Sequence, residues 1–337
     1  MSVTDSLPAG DTHRAAADQH ALRRVWQGHA GIRYVLGRLV QGAAVIFGAI
    51  TISFILIHLT GNPAEVLAGG MMSQEQVHQL SVRLGYDRPL LVQYLDYLGN
   101  AVRGNLGESF RYQEPATTSV FHALPNTLLL VAGAILVACA VAVPTAVFSV
   151  LKRESLADRV LRRAIIMGQG IPEYWLGLML ILIFAVRLGW VASLGFSGPG
   201  SAILPILTLA LPPTSMFVRL LRANLLDIMK ADFVTALRSK GLSELDILLR
   251  HGLRNALAPF LTFLALELGW LIGGTIIVEN VFVWPGIGVL ALSAVEARDL
   301  PVLQAILIIV AVSYVVLNLA VDLLLMWIDP RVQTEPI

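Results

Sequence analysis

The stretch Asp232–Phe260 reads DFVTALRSKGLSELDILLRHGLRNALAPF, and it lies between two long apolar runs. The chain around it is 56% hydrophobic and 14% charged. Segment 222–254 holds the bases Arg222, Lys230, Arg238, Lys240, Arg250 and Arg254 and the acids Asp227, Asp232, Glu244 and Asp246. At about 2.5–3.5 kcal/mol per charge at mid-bilayer, inserting these charges would cost on the order of 30 kcal/mol. The segment is therefore expected outside the membrane. Its punctuation is local and specific. Asp232 is placed to N-cap a short helix that ends at Gly241, a residue suited to positive φ. Ser243-Glu244-Leu245-Asp246 has capping-box spacing and opens a second helix. There Leu242, Leu245, Leu249, Leu253 and Ala256 recur every three or four residues as an apolar stripe. Asp246, Arg250 and Arg254 follow at i,i+4 on another face. A helix, a glycine corner and a helix suit either an elbow lying on the membrane or a plug for another protein.

The rest of the chain fixes the class. Runs of about 20 apolar residues are long enough to cross a bilayer as helices, and only a helix satisfies its own backbone in lipid within one segment. The fold class is an all-α membrane protein. Six spans are expected, near 34–60, 125–151, 164–188, 203–221, 257–282 and 302–328. Pro205, Pro212 and Pro213 interrupt the fourth. Basic residues cluster in the N-terminal tail, in 152–163 and in 222–256. Segment 189–202 has none, and 283–301 has only Arg298. Positive loops stay in the cytoplasm, so both termini are expected there, which agrees with an even number of spans. Residues 1–31, polar and without an apolar core, are expected to be a disordered cytoplasmic tail and not a cleaved signal peptide.

Segment 61–124 is long enough to fold on the outer face. In it Leu91, Tyr94, Leu95, Leu98 and Val102 share one helical face, with Pro89 at the start. That face suits packing on the rim of the bundle or contact with an external partner. A net charge of +1 gives no pointer to nucleic acid, and a single cysteine, Cys139, excludes an intrachain disulfide.

TALRSKGLSELDILLRHGLRNALAP resembles the EAA loop of binding-protein-dependent ABC importers, in the version of dipeptide and oligopeptide permeases. The resemblance continues through IRYVLGRLV (32–40), HLTGNPAEV (58–66), LGYDRPLLVQY (84–94), LPNTLLL (124–130), VENVFVWPGIGVL (278–290), EARDLPVLQA (296–305) and VLNLAVDLLLMWIDPR (316–331). In order and spacing these landmarks cover nearly all of 32–332, and they are similar to a B-type permease. The resemblance implies a type I importer fold, with a first helix plus extracytoplasmic segment over 32–121 and the transmembrane domain over 122–332. It also implies a bacterial inner-membrane location, a second homologous permease, two cytoplasmic ATPase subunits and an external binding protein that delivers peptide. ATP and Mg would sit on the ATPase subunits. The loop at 222–256 would be the coupling segment. Ala236, Leu237, Gly241 and Leu242 would form its corner, and Arg238, Lys240, Glu244 and Arg250 its polar rim. Val234, Leu237 and Gly252 depart from the family pattern, which usually has Arg, Ala and Ala there. Related permeases carry dipeptides, longer peptides, glutathione or nickel.

No G-x-x-x-x-G-K-[ST] stretch occurs, so the chain itself has no P-loop for ATP. It has no zinc-spaced Cys/His cluster either, and no catalytic residue is expected. Glu173, beside Tyr174, and Glu267 fall within spans and are candidates for the translocation path, or for pairing between helices. The same two carboxylates would be the relay in a different class of protein, an ion-coupled secondary transporter. Gly269 and Gly273 form a G-x-x-x-G packing face. Gly195-Phe196-Ser197-Gly198 matches the short pattern of intramembrane serine proteases, which need a histidine base near the serine.

Overall fold

The computed structural model describes residues 9–59, 63–68, 72–191 and 194–328. Among these residues the backbone is almost wholly helical, with one isolated β-bridge between Glu108 and Pro115. Helix α1 (Ala9–Leu59) is followed on one side of the bundle by α2 (Pro63–Ala68), α3 (Gln74–Leu84) and α4 (Leu90–Val102). Then come α5 (Ala116–Leu151), α6 (Leu156–Gln169), α7 (Glu173–Leu180), α8 (Ile203–Ile228), α9 (Asp232–Ser239), α10 (Glu244–Asp246), α11 (Leu253–Phe282), α12 (Ile287–Glu296) and α13 (Leu300–Ile328).

Among the described residues, five stretches are long and apolar enough to span a membrane: Arg33–Leu59, Ala116–Leu151, Gly200–Ile228, Glu244–Phe282 and Leu300–Met326. The sixth expected span, 164–188, is not one straight helix. It is divided between α6 and Glu173–Arg187, which meet at 103°. Pro172 has no N–H to give, and its ring disfavours helical geometry at Ile171. The chain therefore turns at Gly170-Ile171-Pro172, and residues 164–169 belong to the amphipathic α6. The second arm, α7, continues as a π-helical turn over Ile181–Arg187. The backbone of helix α1 is helical from Ala9.

The bundle is built on α5 and α8. Leu130, Ala134, Ala138, Ala142 and Ala146 recur every four residues along α5, and all are fully buried. Small residues at that spacing let backbones approach closely. At Gly133 a methyl would lie 2.5 Å from Ile206 of α8. Helix α11 packs between α8 and α13, and α1 lies along α13. Pro125, Pro144, Pro212, Pro213 and Pro259 all lie inside helices, as membrane helices tolerate.

One buried ion cluster ties three helices together. Asp158 of α6 is fully buried. It pairs with Arg222 of α8 at 3.1 Å and with Arg162 at 3.3 Å, and it accepts a bond from Ser149 of α5. Arg222 also donates to Ser149 at 2.7 Å. Arg222, expected just after a span, lies within α8, which runs on to Ile228.

Candidate functional site

Segment 232–246 folds as a corner locked by local hydrogen bonds. Helix α9 starts at Asp232 itself, with Ala231 as the extended N-cap residue and no side-chain cap. Asp232 is thus not the cap; it sits in the first turn, where its charge favours the helix N-terminus. At the other end Leu242 N–H donates to Leu237 O at 3.3 Å and Gly241 N–H to Arg238 O at 2.9 Å. This 6→1 and 5→2 pair is a Schellman motif with Gly241 at C′, and its φ of +81° is the left-handed value the motif requires. Ser243 then caps α10: its hydroxyl accepts from Asp246 N–H at 3.1 Å and donates to Asp246 Oδ2 at 2.6 Å.

Across the corner Arg238 grips Glu244 with two bonds, Nε to Oε1 at 2.6 Å and the terminal nitrogen to Oε2 at 3.1 Å. The hydrogen bonds that Arg238 donates to the Glu244 carboxylate raise its pKa above the ordinary value. Arg250 lies 3.9 Å from Asp246 in the expected i,i+4 pair.

Ala236, Arg238, Lys240, Gly241, Glu244 and Arg250 are exposed, and Leu237 and Leu242 are half-buried. All eight gather on or beside the corner. Beneath it a crevice of about 210 Å³ is lined by Val150, Leu151 and Arg153 at the end of α5, with Met229, Arg238 and Glu244.

The apolar stripe is placed differently from expectation. Leu245 and Leu249 are exposed, whereas Ile247 and Leu248 are fully buried, with Gly252 and Ala256. The cause is a π-helical turn over Ile247–Gly252, which runs unbroken into α11. A wider turn rotates the following residues relative to α-helical spacing. Phe233, Leu245 and Leu249 therefore add exposed apolar surface to the corner, a set that sequence spacing does not reveal. Val234, one of the departures from the family pattern, is fully buried and roots α9.

Glu173 and Glu267 are brought to one face of α11. Both are half-buried. A methyl on Gly274 would sit 3.5 Å from Glu173 Oε2, and Glu267 lies two turns before Gly274 on the same helix. Tyr174 is exposed beside them. The Gly269/Gly273 face divides. Gly269 is pressed by Tyr314 of α13, while nothing lies within 4 Å of a methyl at Gly273.

LPNTLLL and VENVFVWPGIGVL close into a single network at the far end of the bundle from the corner. Helix α11 is followed by Val283 as its C-cap residue, in the left-handed region at φ +50°. Trp284 is buried and donates to Asn126 O at 3.1 Å, and Asn126 donates to Pro285 O at 2.8 Å. Glu279, fully buried, accepts from Thr127 at 2.6 Å and from Gly288 N–H. Thr127 accepts in turn from Ile287 N–H at 2.8 Å. Nearby, Ser109 donates to the buried Asp299 at 2.6 Å and pins the segment after α4 to the start of α13.

A serine-protease reading finds no support. Ser197 is exposed, with its N–H on Ser201 Oγ. Both ring nitrogens of His58 are engaged, by Phe54 O and Gln93. No metal-holding group of His, Cys, Asp and Glu occurs among the described residues.

Residues 142–334 match the family described as binding-protein-dependent transport system inner membrane component, and residues 31–131 match its N-terminal companion. The chain belongs to this family. The permease is 34% identical over 303 residues to the glutathione transport system permease protein GsiC of Escherichia coli O6:H1, covering 90% of this chain and 99% of that relative. The GsiC of Shigella dysenteriae serotype 1 is 33% identical over the same coverage. Among solved structures, two inward-facing crystal forms of the MetNI methionine ABC transporter share the fold. Their TM-scores are 0.54 and 0.55 at 17% identity, over 62% and 63% of this chain and 96% of theirs. The permease is thus an inner-membrane component of an ABC importer, a multi-pass helical subunit.

Proposed function

We propose that the permease forms half of the translocation pathway of an ATP-driven importer of short peptides, with glutathione, a tripeptide, as the leading candidate substrate. The observation that carries this reading is the corner at Gly241. A Schellman turn, a serine cap and a two-bond ion pair hold it rigid, while it presents Phe233, Leu245 and Leu249 outside the bundle. A surface that must transmit a push has to be stiff and must have something apolar to bury. Its occupant is a separate ATPase subunit, which carries ATP and Mg. Ala236, Leu237, Gly241 and Leu242 enter its cleft, and Arg238, Lys240, Glu244 and Arg250 ring the contact.

In this reading the chain crosses the membrane six times, with α7 and its π turn as the third crossing and both termini in the cytoplasm. Residues 32–121 contribute the first span and the outer segment, and 122–332 the transmembrane domain. A second, similar permease packs against this one, and Glu173, Tyr174 and Glu267 line the path between them. An external binding protein delivers the substrate, so glutathione, other peptides and nickel are separated mainly there. The relatives named for glutathione transport support the tripeptide.

The test is reconstitution of the complete transporter, with ATP hydrolysis and uptake followed for binding proteins loaded with glutathione, a dipeptide, a longer peptide or nickel. Glutathione should stimulate both activities most. Uptake that survives ATP depletion and collapses with a protonophore would sink the reading in favour of an ion-coupled carrier.

A further inference from the structure

Helix α4 has three distinct sides. Tyr94, Tyr97, Leu98 and Ala101 face the bundle: Tyr94 meets the Thr51 hydroxyl at 2.7 Å, and Tyr97 meets that of Ser53 at 2.9 Å. Leu98 and Ala101 pack on the core that contains Ile50 and Val302. The start of α4 is fixed to the outer end of α1, because Gln93 binds His58 at 2.9 Å. The chain just beyond its end is fixed to the beginning of α13, through Ser109 on Asp299 and through Gly107, where a methyl would lie 3.3 Å from Pro301. Both ends of α4 are therefore level with the ends of membrane-length helices, and the helix lies across them.

The other two sides differ in kind. Leu91, Leu95 and Val102, at i, i+4 and i+11, share one flank and are 68%, 56% and 77% exposed. Asp96, Asn100 and Arg103 lie on the opposite flank, where Asp96 pairs with Arg88 at 3.2 Å. Helix α4 packs on α1, whose Ile52, Ile55, Leu56 and Leu59 form exposed surface on a span-length apolar helix. That surface of α1 needs lipid to cover it. A helix with an apolar flank, a polar flank and this placement matches one lying in the membrane interface.

We infer that α4 is an interfacial anchor, with Leu91, Leu95 and Val102 sunk among the acyl chains of the outer leaflet and Asp96, Asn100 and Arg103 at the water. The occupant of the apolar flank is phospholipid, not a soluble binding protein. The leaflet assignment rests on the orientation proposed above; the lipid contact does not.

The test uses the complete transporter in liposomes, with Cys139→Ala as background and single spin labels at Leu95→Cys, Val102→Cys and Asn100→Cys. Collision with oxygen relative to a water-soluble nickel chelate should be several-fold higher at positions 95 and 102 than at 100. Equal ratios at the three positions would overturn the anchor. So would labels at 95 and 102 shielded from both reagents, which would make the flank a protein contact. The leaflet is read separately in whole cells: an impermeant maleimide should reach Asn100→Cys from outside, and failure there would overturn the outer-leaflet assignment alone.

Discussion

The hydroxyl of Thr127 and the carboxylate of Glu279 lie 152 positions apart in sequence and 2.6 Å apart in space. Both are buried, and the same hydroxyl oxygen receives Ile287 N–H. One side chain therefore serves the carboxylate at the end of α11 and the first amide of α12. This bond closes the elbow between those helices onto α5.

Thr127→Val keeps the shape but leaves the carboxylate short of a donor and the Ile287 amide without an acceptor. Each unsatisfied buried group costs about 1–3 kcal/mol. The midpoint of thermal unfolding in detergent should fall clearly below that of the wild type, and Thr127→Ser should recover most of it. An unchanged midpoint for the valine variant would show that water replaces the hydroxyl.

Gly286→Ala attacks the same elbow by volume. A methyl there collides with the Glu279 carboxylate, and one at Gly288 would lie 2.6 Å from the Ile276 backbone. Overpacking costs typically about 1–3 kcal/mol. Gly288→Ala should be the more severe of the two, since backbone yields less readily than a side chain. The amount of protein that elutes folded in size-exclusion chromatography ranks them.

The buried Asp158 cluster and the exposed Arg238–Glu244 pair should respond very differently to truncation. Asp158 is fully buried between Arg162 and Arg222, so Asp158→Asn strands two arginines. Removing one partner of a buried pair costs about 3–5 kcal/mol. Arg238 and Glu244 are both exposed, and pairs of that kind contribute about 0–1 kcal/mol. Arg238→Ala should therefore leave the unfolding midpoint near wild type and show its effect only in transport. Comparable losses of stability for the two variants would contradict this assignment.

What the sequence revealed depended on range. The corner was legible because its signals are local: a glycine for the left-handed residue, and a serine three residues before an aspartate. Gly170-Ile171-Pro172 was equally local, but the hydropathy of 164–188 outweighed it, and the 103° bend went unread. The alanines of α5 showed their spacing of four, yet nothing in α5 names α8 as the partner. The π turn at 247–252 has no signature in residue type, so the buried face passed from Leu245 and Leu249 to Ile247 and Leu248. Asp158 and Arg222, 64 residues apart, and Thr127 and Glu279 met only through the tertiary fold.

Gly241 offers the sharpest separation of folding from coupling. Nothing lies within 4 Å of a methyl at this position, so the first side-chain carbon meets no neighbour and the obstacle is the φ of +81°. A β-branched residue held there costs about 1–3 kcal/mol, which lowers occupancy of the native corner by roughly 5- to 150-fold. Asn tolerates left-handed geometry far better than Val. Gly241→Val should therefore insert normally and retain the bundle's unfolding midpoint, yet transport much less substrate per ATP hydrolysed. Gly241→Asn should restore most of that ratio. The comparison needs uptake and hydrolysis measured on the same proteoliposomes. If the valine variant transports as efficiently as wild type, the backbone of the corner is not what carries the push. If both variants fail equally, bulk at the partner surface is the cause, and the left-handed turn is not.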